Sequence, residues 1–141
     1  MLSMNESQVI RVVVDTNILV ASLWKPASMS ADIVRDIKAQ RITACYDRGI
    51  VNEYNNVLHR FKFRFPITVL DGLIDGITDY GLSVMALKSS ITFEHESDRM
   101  FYDVAQYCNV VLITSNLRHY PKDEPYIMTP GAFVKQLSAM Q

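Results

Sequence analysis

Short apolar runs alternate along the chain with amphipathic segments. Ile10 to Val14 is rich in β-branched residues and shows no regular alternation of polar and apolar positions, which is typical of a strand covered by helices on both faces. Ile42 to Tyr46 and Val110 to Thr114 are predicted to be further strands of the same sheet. Weaker strands are predicted at Leu82 to Leu87 and Tyr126 to Met128.

Between these strands, apolar residues recur at helical spacing. The predicted helices are Ile18 to Trp24, a helix capped by Ser30 that runs through about Gln40, Gly49 to Phe61, Ile67 to Tyr80, Ser97 to Asn109, and about Pro130 to Met140. Alternating strands and helices predict an α/β fold with a mostly parallel sheet and right-handed connections. Residues 1–141 form one predicted domain, with Met1 to Gln8 as a short frayed extension.

Composition narrows the class of protein. A chain of 141 residues with 49% hydrophobic and 21% charged residues is typical of a soluble globular domain. The apolar stretches are shorter than the roughly 20 residues of a membrane span, and no basic leader precedes one, so we expect a cytoplasmic protein.

Cys45 and Cys108 lack zinc-site spacing and are expected to be reduced. A net charge of -1 gives no overall attraction to nucleic acid.

Polar residues follow two of the predicted strands. Asp15 comes directly after the first strand, and Asn116 comes just after the strand that ends at Thr114. Open parallel sheets bind ligands at the carboxyl ends of their strands, so these two side chains are expected to converge. Asp15 could instead be the N-cap of the following helix, and the sequence leaves this alternative open.

Two helices supply further carboxylates. Glu53 lies at the edge of an apolar helical stripe, where it can face either a cleft or solvent. Asp98 borders the apolar stripe of its own helix, although a favourable position near the positive end of the helix dipole would equally explain it. By the same helical geometry, Asp103 is predicted to face outward.

Three carboxylates from three elements are the oxygen ligands that Mg²⁺ or Mn²⁺ requires. Such cations support phosphodiester hydrolysis without a Ser, Cys or His nucleophile, and no such nucleophile is evident in the chain. His59, His95 and His119 do not form a spaced ligand set, so we exclude them from the predicted metal site.

Three segments together resemble the PIN-domain family, and within it the VapC-type ribonucleases of toxin-antitoxin systems. They are the run Val13 to Val20, the Glu53-Tyr54 pair leading to Val57-Leu58, and the run Ser97 to Phe101 that leads to Ala105. The resemblance extends from Arg11 to Leu137. It implies a PIN-like fold in which helices cover both faces of the sheet.

The resemblance also implies a site. Asp15, Glu53 and Asp98 match the family's metal ligands, and its fourth acidic position falls at Asn116. Most relatives have Asp at this fourth position, so Asn116 weakens the expectation of a second metal site. An Asn followed by Arg118-His119-Tyr120-Pro121 is similar to one subgroup of toxins. By the same resemblance, Asn17 and Thr114 would orient the ligands, unless they are only turn or cap residues.

The function implied by the resemblance is that of a Mg²⁺- or Mn²⁺-dependent endoribonuclease. It would be a toxin that cleaves RNA and is held inactive by a small antitoxin protein, and a homodimer is consistent with the family. The main alternative is a catalytically inactive RNA-binding or protein-interaction module. A phosphoacceptor receiver domain is a third alternative, but Asp15 lacks the acidic neighbour that such a domain requires.

A local basic cluster is the last feature. Basic and aromatic residues alternate there, which predicts contact with an RNA backbone and stacking on bases. A helix end with phenylalanines inward and charges outward would give the same pattern, so this alternative also stays open. The residues are Arg60, Phe61, Lys62, Phe63, Arg64 and Phe65.

Overall fold

Five parallel strands form one sheet in the order β3-β2-β1-β4-β5. The computed structural model describes residues 9–140. β1 lies at the centre, where it pairs with β2 on one side and β4 on the other. The strands are β1 Arg11–Val14, β2 Thr43–Tyr46, β3 Leu82–Ser83, β4 Val111–Ile113 and β5 Ile127–Met128.

Helices connect these strands. They are α1 Thr16–Trp24, α2 Met29–Lys38, α3 Arg48–Leu58, α4 Ile67–Thr78, α5 Arg99–Cys108 and α6 Pro130–Ala139. Short 3₁₀ turns follow α3 at His59–Phe61, precede α5 at Glu96–Asp98 and follow β4 at Leu117–His119. Each predicted strand and helix therefore has a counterpart, with boundaries that differ by a few residues.

The burial of β1 shows how the sheet is covered. Val12, Val13 and Val14 are each 0% exposed. Successive side chains of a strand point to opposite faces of the sheet, so both faces at β1 are covered by other elements. The prediction of an α/β fold with a helix-covered parallel sheet is confirmed.

Two local predictions are wrong. α2 begins one residue after Ser28, whose hydroxyl accepts a hydrogen bond from the Ala31 N–H at 3.1 Å, so Ser28 and not Ser30 is the cap. Asp103 does not face solvent: it is 7% exposed, and its Oδ2 accepts a hydrogen bond from the Ser89 N–H at 3.1 Å. The segment that joins β3 to α5 covers this face of α5, which a helical wheel cannot show.

The predicted frayed extension, Met1 to Gln8, lies outside the described residues. Within residues 9–140, none of the helices has the length and apolar character needed to cross a bilayer. Cys45 and Cys108 are both free thiols. Burial raises the pKa of Cys45 to about 12, and the neighbouring Cys108 adds to this shift, so Cys45 stays protonated at neutral pH.

Candidate functional site

Asp15 is held at the carboxyl edge of the sheet. Its backbone N–H donates to the Ile113 carbonyl at 3.0 Å, which continues the pairing of β1 with β4 beyond the strand ends. Its Oδ2 accepts hydrogen bonds from Thr114 Oγ1 at 2.8 Å and from the Tyr120 hydroxyl at 2.9 Å. The side chain makes no capping hydrogen bond to α1, so its contacts do not support the simple N-cap interpretation.

Thr114 organises the turn after β4. It is 0% exposed, and its Oγ1 accepts from the Asn116 backbone N–H at 3.0 Å and from Asn17 Nδ2 at 3.4 Å. The Asn17 side-chain oxygen accepts in turn from the Ser115 N–H at 3.1 Å. These bonds join the start of α1 to the turn after β4 and fix Asp15 between them.

Asp98 approaches the same place from the start of α5. It is 8% exposed, and its buried Oδ2 has no hydrogen-bond partner among the described residues, although His119 Nδ1 lies 3.3 Å away. Burial and the charge of Asp15 raise the pKa of Asp98, whereas His119 and His95 lower it. The two carboxylates are therefore close enough to repel each other.

An open cavity of about 510 Å³ contains these groups. A larger groove of about 710 Å³ lies beside the loop that follows the Leu117–His119 turn, and neither Asp15 nor Asp98 lines it. The carboxylates therefore mark the smaller cavity as the candidate site. Its lining residues are Asp15, Thr16, Asn17, Val20, Ala21, Trp24, Lys25, Val57, Asp98, Ser115, Asn116 and His119.

Glu53 does not join this group. It is half-buried on α3, one helical turn before Val57, and it does not line the cavity. Among residues 9–140, no three His, Cys, Asp or Glu side chains are arranged to hold a metal ion. The structure thus brings together Asp15, Asp98 and Asn116, but not Glu53.

The donor set can be compared with what a hard cation needs. Mg²⁺ is commonly held by one or two carboxylates, with water and substrate phosphate as its other ligands. Asp15 and Asp98 supply two carboxylates, and Asn116 adds a neutral oxygen. The buried Oδ2 of Asp98, whose contact with His119 Nδ1 is long at 3.3 Å, and the repulsion between the two carboxylates fit a single divalent cation.

Sequence reasoning missed two residues of this site. Tyr120 is 4% exposed, and burial together with the Asp15 charge raises the pKa of its hydroxyl, which therefore remains a donor to Asp15. His119 lines the cavity, and the ring of His95 lies 4.9 Å from the His119 ring. The sequence suggested that these histidines are isolated, but in the structure their rings lie side by side. The Arg118-His119-Tyr120-Pro121 run was the signal that could have identified both residues.

The basic cluster, residues 60–65, contacts Trp24, which lines the cavity. Phe61 and Phe65 pack edge-on against Trp24, with ring centroids 5.9 Å and 5.2 Å away. The Arg64 guanidinium lies over the Trp24 ring at 5.0 Å, and Phe63 is 77% exposed. The inward-facing alternative therefore describes Phe61 and Phe65 but not Phe63.

Comparison with known proteins adds to this geometry. A search of curated proteins gives no match to the chain. A family model described as PIN domain matches residues 11–118. This range includes strands β1 to β4 and helices α1 to α5, and it contains Asp15, Asp98 and Asn116. The matched region covers most of the chain and agrees with the parallel α/β fold. The chain belongs to the PIN-domain family.

Proposed function

We propose that this protein is a metal-dependent endoribonuclease and the toxin component of a toxin-antitoxin system. PIN domains are in general nucleases. The observation that supports metal dependence most directly is the pair of buried carboxylates, Asp15 and Asp98, which share one cavity and repel each other. A divalent cation between them would remove this repulsion and be bound by the buried Oδ2 of Asp98, which has only a 3.3 Å contact with His119 Nδ1.

In this proposal, Asp15 and Asp98 hold Mg²⁺ or Mn²⁺, and Asn116 contributes a neutral oxygen. Glu53, which lies on α3 one turn before the cavity residue Val57, would help to position the attacking water. When bound, the cation would polarise the RNA phosphate and lower the pKa of a bound water. Thr114 and Tyr120 keep Asp15 oriented through the two hydrogen bonds to its Oδ2.

The Arg60, Lys62 and Arg64 side chains are proposed to contact the RNA backbone. All three are exposed, and none has an ion-pair partner among the described residues. Unneutralised cations attract phosphate and make binding sensitive to salt. This cluster supplies the local positive charge that the net charge of -1 does not.

The test of the catalytic proposal is cleavage of RNA by purified protein with Mg²⁺, with Mn²⁺ and with a chelator. Asp15→Asn removes a ligand charge at nearly constant volume, so we expect turnover to fall by more than about 100-fold, beyond the loss typical of an outer-shell change. Asp75→Asn, the same change on the exposed face of α4, is the matched control and should keep full activity. Wild-type turnover in Asp15→Asn at saturating metal would overturn the proposed site.

The toxin role rests on the resemblance of the Val13 to Val20, Glu53 to Leu58 and Ser97 to Phe101 segments to VapC-type toxins. Induced expression should arrest bacterial growth, whereas expression of Asp15→Asn should not. Co-expression of a small protein encoded directly beside the gene should restore growth. If expression of the wild-type protein and expression of the cleavage-deficient Asp15→Asn variant affect growth equally, the toxin proposal is wrong.

An inactive interaction or RNA-binding module is the second candidate. Two observations favour it: Asn116 replaces a carboxylate, and Glu53 does not line the cavity. RNA binding without cleavage in any divalent metal would support this candidate over the nuclease.

A further inference from the structure

Trp24 stands on the wall of the cavity that contains Asp15 and Asp98. It ends α1, and 42% of its surface is exposed. It is also the single tryptophan of the chain. An aromatic residue with this much exposed surface beside a polar site is a typical contact for a ligand that has an apolar face.

The Trp24 ring packs against side chains of residues 61–65. Phe61 and Phe65 pack edge-on against it, at interplanar angles of 83° and 80°. The Arg64 guanidinium lies over the ring at 5.0 Å. A ring packed in this way loses little conformational freedom when a ligand stacks on it, so stacking is less costly than on a mobile side chain.

Basic side chains lie on the Trp24 side of the cavity, which Asp15 and Asp98 line as well. Lys25 lines the cavity next to Trp24, and Lys62 and Arg64 are exposed on the neighbouring segment. None of these three cations has an ion-pair partner among the described residues. A ligand that meets this wall should combine a flat apolar group with negative charge.

We propose that the Trp24 wall, formed by Trp24, Lys25, Phe61, Arg64 and Phe65, is a subsite that stacks an unpaired base of the RNA substrate. This inference rests on the proposed ribonuclease function. Nucleotides combine a flat π surface with a phosphate, and stacking on aromatic side chains is the common mode of single-strand recognition. The interior bases of a duplex are already stacked on both faces and cannot present a face to Trp24 without unpairing.

The test measures binding and not cleavage, so that its failure is distinct from failure of the nuclease proposal. A fluorescein-labelled single-stranded RNA of about ten nucleotides, and the same strand in a blunt duplex, are titrated with the full chain in chelator. Anisotropy should show tighter binding of the single strand. The intrinsic fluorescence of Trp24 should be quenched by the single strand and not by the duplex.

Trp24→Ala should weaken single-strand binding by roughly tenfold, within the range measured for loss of one base-aromatic stack. Trp24→Phe should recover part of this loss, which a purely structural role would not predict if both variants melt like wild type. Tyr107→Ala is the matched control, because Tyr107 is 59% exposed on α5 and lines a different cavity. Its RNA binding should be unchanged.

Arg64→Gln separates charge from stacking. It should lower affinity and reduce the slope of log binding constant against log salt by about 0.7, the value for one contact to a single strand. Arg41→Gln, at an arginine that pairs with Asp36 on another surface, should leave the slope unchanged. Equal binding of single strand and duplex, or wild-type affinity in a folded Trp24→Ala, would overturn the proposal. Absence of Trp24 quenching by the single strand would also overturn it.

Discussion

At the scale of single residues, the site depends on which polar atoms have partners. Asp15 Oδ2 has two strong donors, whereas Asp98 Oδ2 is buried, and among the described residues its contact with His119 Nδ1 is too long, at 3.3 Å, to be a well-formed hydrogen bond. A buried acceptor without a partner is costly, typically about 1–3 kcal/mol, unless another ligand satisfies it. The two carboxylates therefore have different tasks in the proposed site: Asp15 is fixed in position, and Asp98 has an oxygen available for a cation.

Asn116 offers a test at this scale. Its backbone N–H donates to Thr114, but its side chain makes no hydrogen bond to another described residue. Asn116→Asp should therefore keep the turn intact. A new carboxylate beside Asp15 and Asp98 should strengthen metal binding and lower the Mn²⁺ concentration that gives half-maximal cleavage.

Cleavage rates across a Mn²⁺ titration, with melting temperature as the check on folding, would measure this effect. Ser115→Asp is a useful comparison, because Ser115 is the exposed neighbour in the same turn and also lines the cavity. A well-folded Asn116→Asp with an unchanged or higher Mn²⁺ requirement would show that Asn116 is not a weakened metal ligand.

At the scale of elements, α3 is joined to the central strand by one buried hydrogen bond. The Tyr54 hydroxyl donates to the Val14 carbonyl at 2.6 Å, directly before Asp15, and the Tyr54 ring is 0% exposed. This contact sets the position of α3, which carries Glu53 and the cavity residue Val57. The element that supplies the third predicted carboxylate is thus fixed to the strand that supplies the first.

Tyr54→Phe should lower the free energy of unfolding by about 1–2 kcal/mol, because the buried Val14 carbonyl loses its donor while the ring still fills its space. Denaturant titration would measure the change. Tyr80→Phe, which removes a hydroxyl from a side chain that is 64% exposed, is the control and should have no effect. Equal stability of the two variants would mean that the Tyr54 bond does not hold α3.

At the scale of the whole molecule, the fold brings negative charges together from distant parts of the chain. Asp15 follows β1 and Asp98 precedes α5, and the charge of Asp15 contributes to the raised pKa of Asp98. A raised carboxyl pKa means that the folded state favours the neutral form. Stability is therefore lost as pH rises from the unfolded value of 3.8 through the higher folded value.

Asp98→Asn should accordingly raise the melting temperature of the metal-free protein at pH 7, by about 4 °C for each kcal/mol of removed repulsion. The difference from wild type should shrink near pH 4, where protonation begins to remove the charge in both states. His119 and His95, which face Asp98, remain in both proteins. Differential scanning calorimetry in chelator would measure both values.

The same variant also tests metal binding. Mn²⁺ should raise the melting temperature of wild type, because a ligand that binds only the folded state stabilises it. This increase should be lost in Asp98→Asn and kept in Asp75→Asn. A lower melting temperature for metal-free Asp98→Asn, or an equal Mn²⁺ effect in both variants, would contradict the proposed repulsion and its relief by metal.

The sequence by itself determined the features that depend on local pattern. Buried strands such as Val12 to Val14 are continuous apolar runs, and helices have apolar residues at regular spacing, so the α/β fold was predictable. The places of Asp15 and Asn116 after β1 and β4 followed from the same pattern, because parallel strands end at one edge of the sheet.

The tertiary structure decided which side chains meet. Thr114 and Tyr120 donate to Asp15 across 99 and 105 residues of sequence, and the burial of Asp103 depends on the path of the segment before α5. The contact of Arg64 with the Trp24 ring, and the absence of Glu53 from the residues that line the cavity, also depend on the tertiary structure. Periodicity gives the face on which a residue lies along its own element, but the paths of the connecting segments fix its partners across the fold.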